Sequence, residues 1–555
     1  IESADKDWKA GRIMPVYGLT YGLSNNEITK LVKTALETYY NSIHNILPEE
    51  IIKEYKLTSR KEAIKNLHFP SDLRKYSLAK KTLAFEKLLI MQLGLFNIKK
   101  NFSKEISHIR LNKKDLAERM VASLPYKLTN AQLKVIDEIN EDLKSNKAMN
   151  RLVQGDVGSG KTVVAVYAML VAVGSGYQAS MMAPTEILAL QHYETIKECI
   201  NLEGLNIKAE VLTGATKARE KQEILRKLKD GDIDILVGTH ALIEDKVEFN
   251  NLGLVVTDEQ HRFGVRQRAK LSNKGNAPHI LVMTATPIPR TLALMLYGDL
   301  DISLIDEMPP GRQKIITYVI TEKEKEKAYD FIKKHLDSGR QAYIIAPLVE
   351  ESENLDLDSA VDLYQELKSS YFSGYGLGLL HGKMTSGEKE EVINKFYEGK
   401  ISALVSTTVV EVGVNVPNAT VMLVLNAERF GLAQLHQLRG RVGRGRYQSC
   451  CILVNESKTK KSRDRMNILK RTNNGFIIAE EDLRIRGPGD FFGVRQHGLS
   501  KFEIQNLVND VVTLQQVQLL SKKIMAENPG LTGPDYQNLK KEIANLFKDE
   551  TIVFN

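Results

Sequence analysis

The chain has 555 residues, too many for one hydrophobic core, so three or four domains of ordinary size are expected. Its 77 Lys+Arg against 69 Asp+Glu give a net charge of +8, which suits a nucleic-acid partner without requiring one. Cys199, Cys450 and Cys451 form no C-x-x-C pair, and no segment has the apolar length of a membrane span or a signal-peptide pattern; a disulfide scaffold and an integral membrane protein are therefore excluded, and reduced core thiols in a cytoplasmic protein are expected.

Residues 1–122 are rich in Lys and Glu and have helical period, which predicts a helical module. Ala84, Leu88, Met91 and Leu95, spaced by four, three and four, make one apolar stripe, with Glu86, Lys87 and Gln92 off it. Pro15-Val16-Tyr17-Gly18-Leu19 and Phe69-Pro70-Ser71-Asp72 interrupt the helices, and Asp72 reads as the N-cap of the longest one. Ile1 is not an initiator residue, so the chain is expected to begin inside a longer protein.

From 123 to 310 short β-branched runs alternate with amphipathic helices, as in a parallel sheet with crossover helices. The predicted strands are Met149–Val153, Gln178–Ala183, Ala209–Leu212, Ile233–Val237, Gly253–Thr257 and Ile280–Met283. The alternation restarts over 311–456 with Tyr343–Ala346, Leu377–Leu379, Ala403–Val405, Val421–Leu425 and Cys450–Val454. Beyond lies a basic stretch, with seven Lys/Arg and two acids between Glu456 and Arg471, and then helical period to the end of 457–555.

Gly155-Asp156-Val157-Gly158-Ser159-Gly160-Lys161-Thr162 has the G-x-x-x-x-G-K-T spacing between a predicted strand and a predicted helix, the context that a phosphate-binding loop requires. Gly155, Gly158 and Gly160 let backbone N–H groups turn inward, Lys161 reaches β/γ-phosphate oxygens, and the Thr162 hydroxyl suits Mg²⁺. ATP and Mg²⁺ are the cofactors this implies. Val255-Val256-Thr257 ends in Asp258 and Glu259; the first suits the metal and the second the attacking water. The second lobe has no such loop but carries Gln437-Leu438-Arg439-Gly440-Arg441-Val442-Gly443-Arg444. A triphosphate cleft needs cations from its opposite wall, and Arg441 and Arg444, three apart, are expected on one helical turn facing it.

Asp258-Glu259-Gln260-His261 resembles motif II of superfamily-2 helicases, and other pieces follow that family's order. The resemblance implies α/β architecture: two tandem RecA-like lobes, 123–310 and 311–456, preceded by the helical module and followed by a helical translocation segment. It assigns Gln132, in Leu128-Thr129-Asn130-Ala131-Gln132, to reading adenine. It assigns Pro184, Thr185, Thr239, His240 and Thr407 to gripping a strand, and Met283-Thr284-Ala285-Thr286-Pro287 to coupling hydrolysis with movement. Glu259, His261, Gln437, Arg441 and Arg444 fall in its catalytic motifs. The stretch Gly475–Gln496 is similar to the TRG translocation motif shared by RecG and the transcription-repair coupling factor, and Pro488 and His436 favour the RecG family. Arg465, Arg486 and Gln496 match positions of the helical hairpin and loop that act on duplex.

What that resemblance implies is an ATP-dependent translocase on double-stranded DNA that remodels forks, Holliday junctions and R-loops in repair and recombination. It would be a monomer, cytoplasmic and nucleoid-associated, with no membrane partner, and a single-stranded-DNA-binding protein is a candidate partner. Asn415 stands where the family commonly has Asp, and the family's OB-fold wedge is not among residues 1–555, so these residues are expected to bind junctions little better than linear duplex. A non-translocating ATP-switched clamp and a coupling-factor-type translocase are the alternatives; Glu259 argues against the clamp.

Overall fold

The computed structural model describes residues 13–19, 22–102, 109–201, 204, 206–258, 274, 277–285, 300–346, 353–407, 416–486 and 511–546. Chain contacts divide it into two units: one joins the N-terminal segment up to Phe102 with the C-terminal segment from Arg486, and the other holds both α/β lobes.

The first unit begins with helices α1 (Asn25–Tyr39), α2 (Glu49–Glu54), α3 (Arg60–His68) and α4 (Leu73–Phe102). Ser24 opens α1 with a capping box to Glu27. Asp72 caps the 30-residue α4 as the sequence predicts, its Oδ1 accepting from Lys75 N at 2.8 Å. Ala84, Leu88 and Met91 are buried, but so are Phe85, Leu89, Ile90, Leu93, Glu86 and Gln92. The single-stripe expectation is corrected here: α3 packs on α4, and so do two helices from the far end of the chain, 511–527 and 537–546, leaving little free face for polar side chains.

The second unit starts with α5 (Asp115–Ser123) and α6 (Asn130–Lys144) and continues through β1 (Asn150–Gly155), α7 (Lys161–Gly174), β2 (Gln178–Met182), α8 (Glu186–Asn201), β3 (Ala209–Leu212), α9 (Ala218–Asp230), β4 (Ile235–Gly238), β5 (Leu252–Asp258), β6 (His279–Thr284) and β7 (Asp301–Ile305). These strands form a parallel sheet in the order β3-β4-β2-β5-β6-β1-β7. Helix α7 is buried from Val163 to Ala172, as an all-apolar helix lying against the sheet and under α5 and α6 must be.

The second lobe comprises β8 (Ile316–Ile320), α10 (Lys325–Asp337), β9 (Gln341–Ile345), α11 (Glu353–Ser369), β10 (Leu377–Leu380), α12 (Ser386–Tyr397), β11 (Ala403–Ser406), β12 (Ala419–Val424), α13 (Leu432–Arg439) and β13 (Cys450–Val454). Its parallel order is β10-β11-β9-β12-β13-β8. Helices α14 (Lys460–Arg471) and α15 (Gly475–Arg486) follow, then α16 (Val511–Glu527) and α17 (Gln537–Leu546).

Each strand predicted from the sequence is present to within two residues at either end, and β7 and β8 are additional. Both are edge strands with mixed burial, Ile316 and Tyr318 being exposed, so neither has the continuous apolar run of a central parallel strand. Cys199, Cys450 and Cys451 are buried free thiols. Among the described residues no helix is long and apolar enough to cross a membrane.

Candidate nucleotide and nucleic-acid site

All-parallel sheets place every loop that follows a strand at one edge, where such folds bind ligands. The loop after β1 turns back through Gly158 and Gly160, at φ +75° and +84°, a left-handed backbone that glycine adopts without steric cost. Lys161 Nζ donates to the carbonyls of Gly155 (2.7 Å) and Asp156 (2.9 Å). Ser159 Oγ is buried and has no hydrogen-bond partner among the described groups, so the cradle holds an unused hydroxyl beside its inward-turned backbone. With the positive end of α7 behind it, this loop fits a nucleotide phosphate. Gln132 is 2% exposed; its Oε1 accepts from Thr129 N (2.8 Å) in a capping box, and its Nε2 donates to Ser159 O (2.9 Å), tying α6 to the loop.

Strand β6 separates β5 from β1, which sets Asp258 roughly 10 Å across the sheet from the phosphate loop, two strand spacings. Asp258 is nearly buried, and His192 of α8 holds it, Nε2 to Oδ2 at 2.8 Å. Thr162, at the start of α7, is partly exposed. Asp258 and Thr162 are the residues that would hold Mg²⁺. Glu259, Gln260, His261, Thr286, Pro287, Glu411–Asn415 and Trp8 lie outside the described residues.

The second lobe meets this edge directly. A Cβ placed on Gly440 would lie 2.9 Å from Val157 Cβ, so the arginine-bearing segment rests on the phosphate loop itself. Helix α13 ends at Arg439, Gly440 is its C-cap, and Gly443 turns the chain with φ +78°. Arg441 and Arg444 therefore do not share one helical turn, which corrects the expectation from their spacing: the glycines that permit close approach also end the helix. The two guanidiniums are still neighbours. Burial, and then the like charges of Arg441 and Arg312, push Arg444 down to about 9. Its residue keeps some exposure, so solvent screens part of that depression, and it stays cationic at neutral pH. Gln437 and Arg441 are buried alongside.

Three residues that the motifs did not single out complete the site. Arg312, between the lobes, donates through Nη1 to Val157 O, and burial lowers its pKa despite the opposing charge of Asp156. Burial would raise the Asp156 pKa, but His436 and the N–H groups of Val157 and Gly475 outweigh it and hold the carboxyl below its usual range. Arg439, 2% exposed, donates to Thr317 Oγ1, Leu469 O, Thr472 O and His436 Nδ1. The place of Arg439 within the Gln437–Arg444 motif is the one signal in the sequence; nothing local marks Arg312 or Asp156.

The same edges carry the residues assigned to strand contact. Pro184 and Thr185 follow β2, with Thr185 Oγ1 accepting from Leu188 N at 3.4 Å, and Thr239 and His240 follow the neighbouring β4. Thr239 is buried and His240 exposed. Thr407 follows β11, its N–H donating to Leu380 O at 3.3 Å. Arg465, on α14, is partly buried and donates to the carbonyls of Glu428 (3.2 Å) and Phe430, so it fastens α14 to the second lobe. Arg486 ends α15; nothing is described of its side chain, and Gln496 lies outside the described residues.

Two RecA-like lobes and a phosphate loop faced by arginines of the second lobe define a helicase-type ATPase. The DEAD/DEAH box helicase family matches residues 129–295, the helicase conserved C-terminal domain 324–446, and the C-terminal part of domain 3 of the ATP-dependent DNA helicase RecG 472–553. The ATP-dependent DNA helicase RecG of Synechocystis sp. is 50% identical over 525 residues, 94% of this chain and 63% of that protein. That of Bacillus subtilis is 45% identical over 533 residues, 96% of this chain and 78% of that protein. A solved structure of RecG bound to a three-way DNA junction superposes with TM-score 0.75 at 43% identity, covering 91% of this chain and 66% of the other. The chain belongs to the RecG family of ATP-dependent DNA helicases.

Proposed function

We propose that the chain is an ATP-driven translocase on double-stranded DNA that remodels branched DNA, including stalled forks, four-way junctions and R-loops, in repair and recombination. The observation that carries this reading is the seat of Gly440 and His436 of the second lobe on the phosphate loop of the first, with the basic α14 continuing from that lobe. Nucleotide binding there favours one arrangement of the lobes and hydrolysis another, so strand-gripping loops on the two lobes shift relative to each other.

Lys161, Arg312, Arg441 and Arg444 supply charge toward the phosphates, and preorganised cations are worth most where water is excluded. Mg²⁺, held by Asp258 and Thr162, would neutralise β/γ-phosphate charge. Glu259 orients or deprotonates water, Gln132 reads adenine, and Arg486 and Gln496 act on duplex. Action as a monomer in the cytoplasm, near the nucleoid, and contact with a single-stranded-DNA-binding protein belong to the same reading. The junction named in the related complex supports a branched substrate. Phosphate release measured side by side with single-stranded, duplex and junction DNA tests it. Linear turnover stimulated by duplex and junction is expected; one burst of release without turnover would replace the translocase with a clamp.

A further inference from the structure

We propose that Asp156, His436 and Arg439 form a positioning relay through which the phosphate loop sets the turn between α14 and α15, an inference that rests on the nucleotide and translocation reading above. Asp156 occupies a position of the loop motif that the motif leaves open, and its carboxylate bonds partners in both lobes. Oδ1 accepts from Val157 N (2.7 Å) and is 2.5 Å from His436 Nε2, while Oδ2 accepts from Gly475 N (3.0 Å), the first residue of α15. One buried carboxylate thus holds its own loop, the helix of the second lobe that carries His436 and the start of α15.

The direction of each bond can be assigned. An arginine only donates, so His436 Nδ1, 2.9 Å from Arg439 Nη2, is the acceptor, and the ring proton is on Nε2, donated to Asp156. Arg439 then reaches the carbonyls of Leu469 (2.7 Å) and Thr472 (3.0 Å). The turn is gripped on both sides, by Arg439 where α14 ends and by Asp156 where α15 begins. Charge-assisted bonds in a buried site are the strong ones, so shifting Asp156 shifts what it holds.

Two further observations connect the relay to nucleotide state. Lys161 Nζ donates to the Asp156 carbonyl, so drawing Lys161 toward phosphate oxygens frees the peptide that carries the relay's first residue. A cavity of about 250 Å³ borders it, lined by Asp156, Val157, Arg312, His436, Arg439 and Asn473 among others. Asn473 Oδ1 is buried and has no hydrogen-bond partner among the described residues, so the turn has both space and an unused acceptor for a second arrangement.

Hydrogen exchange over residues 470–480, with and without a non-hydrolysable ATP analogue and duplex DNA, tests the relay; analogue binding and duplex translocated per ATP are measured on the same samples. In the parent, the analogue should change exchange rates there by about fivefold or more. His436→Leu should bind the analogue within about threefold of the parent, lose that response and translocate about fivefold less per ATP hydrolysed. His436→Gln, whose amide donates to Asp156 and accepts from Arg439, should restore both; a merely structural histidine would not make the nucleotide response depend on this donor–acceptor pair. Should the Leu variant fail to fold, Asp156→Asn at saturating analogue is read by the exchange response alone and should lose it, because an amide offers one acceptor oxygen where three donors need two. An unchanged response in His436→Leu, or a Gln variant as impaired as Leu, overturns the relay. A parent that binds the analogue without any response sinks the relay alone; a parent that binds no analogue sinks the functional reading.

Discussion

Adding one methyl group at Gly440 isolates the contact between the lobes. Its backbone is ordinary right-handed helix, φ −66° and ψ −6°, so Gly440→Ala introduces no conformational strain of its own. The new Cβ would lie 2.9, 3.0 and 3.2 Å from Val157 Cβ, Cγ1 and Cγ2, against the 3.5–4.0 Å at which carbons normally touch. Val157 is β-branched, 5% exposed and part of the phosphate loop, so it has little freedom to give way. Overpacking of this size costs about 1–3 kcal/mol, a factor of about 5–150 in the closed arrangement. DNA-stimulated ATPase should fall by that factor, with thermal stability of the separate lobes little changed. Val157→Ala removes the methyls at 3.0 and 3.2 Å and leaves a slimmer Cβ that can give way, so the double variant should recover part of the loss, a coupling of about 0.5 kcal/mol or more in a double-mutant cycle. Additive effects of the two substitutions, or unchanged turnover in Gly440→Ala, would show that closure does not pass through this contact.

Lys161→Ala removes a cation that lies in the cradle and should weaken ATP binding by about 10–100-fold without unfolding the chain, as equilibrium titration with a fluorescent nucleotide would show. Glu259→Gln keeps the shape of the side chain and removes the base, so binding should persist while turnover drops by about 10²–10⁴; normal turnover would move the role elsewhere. Glu86, buried in α4 with Arg60 at 3.8 Å, is raised from 4.5 to about 7, first by burial, with Arg60 opposing. A raised carboxyl stabilises the fold fully below its unfolded pKa and loses that contribution as pH rises through 7, about 3 kcal/mol in all. Glu86→Gln should therefore match the parent near pH 4.5 and exceed it at pH 8, measured by hydrogen exchange in α4; equal pH slopes in the two proteins would refute the assignment.

The sequence alone determined the chemistry that local spacing can carry. Gly155 to Thr162 needs only a strand, two left-handed glycines and a helix, all specified within a few residues, and the strand after which Asp258 falls announces itself by apolar run. Central strands were legible because burial on both faces favours short runs that are mostly apolar, bounded by turn residues. The tertiary structure decided what joins distant segments. Asp156 and His436 are 280 residues apart, Asp156 and Gly475 319, and no period or motif in either segment encodes the pairing. Glu86 looks like a solvated position until α16 and α17 fold back onto α4. Where α13 stops was likewise undecidable from spacing, because Gly440 and Gly443 serve close approach and helix termination equally well; packing against Val157 and the positive φ of Gly443 settle which. Local sequence fixes dihedrals and functional groups, whereas partners are chosen by the burial that the whole chain achieves.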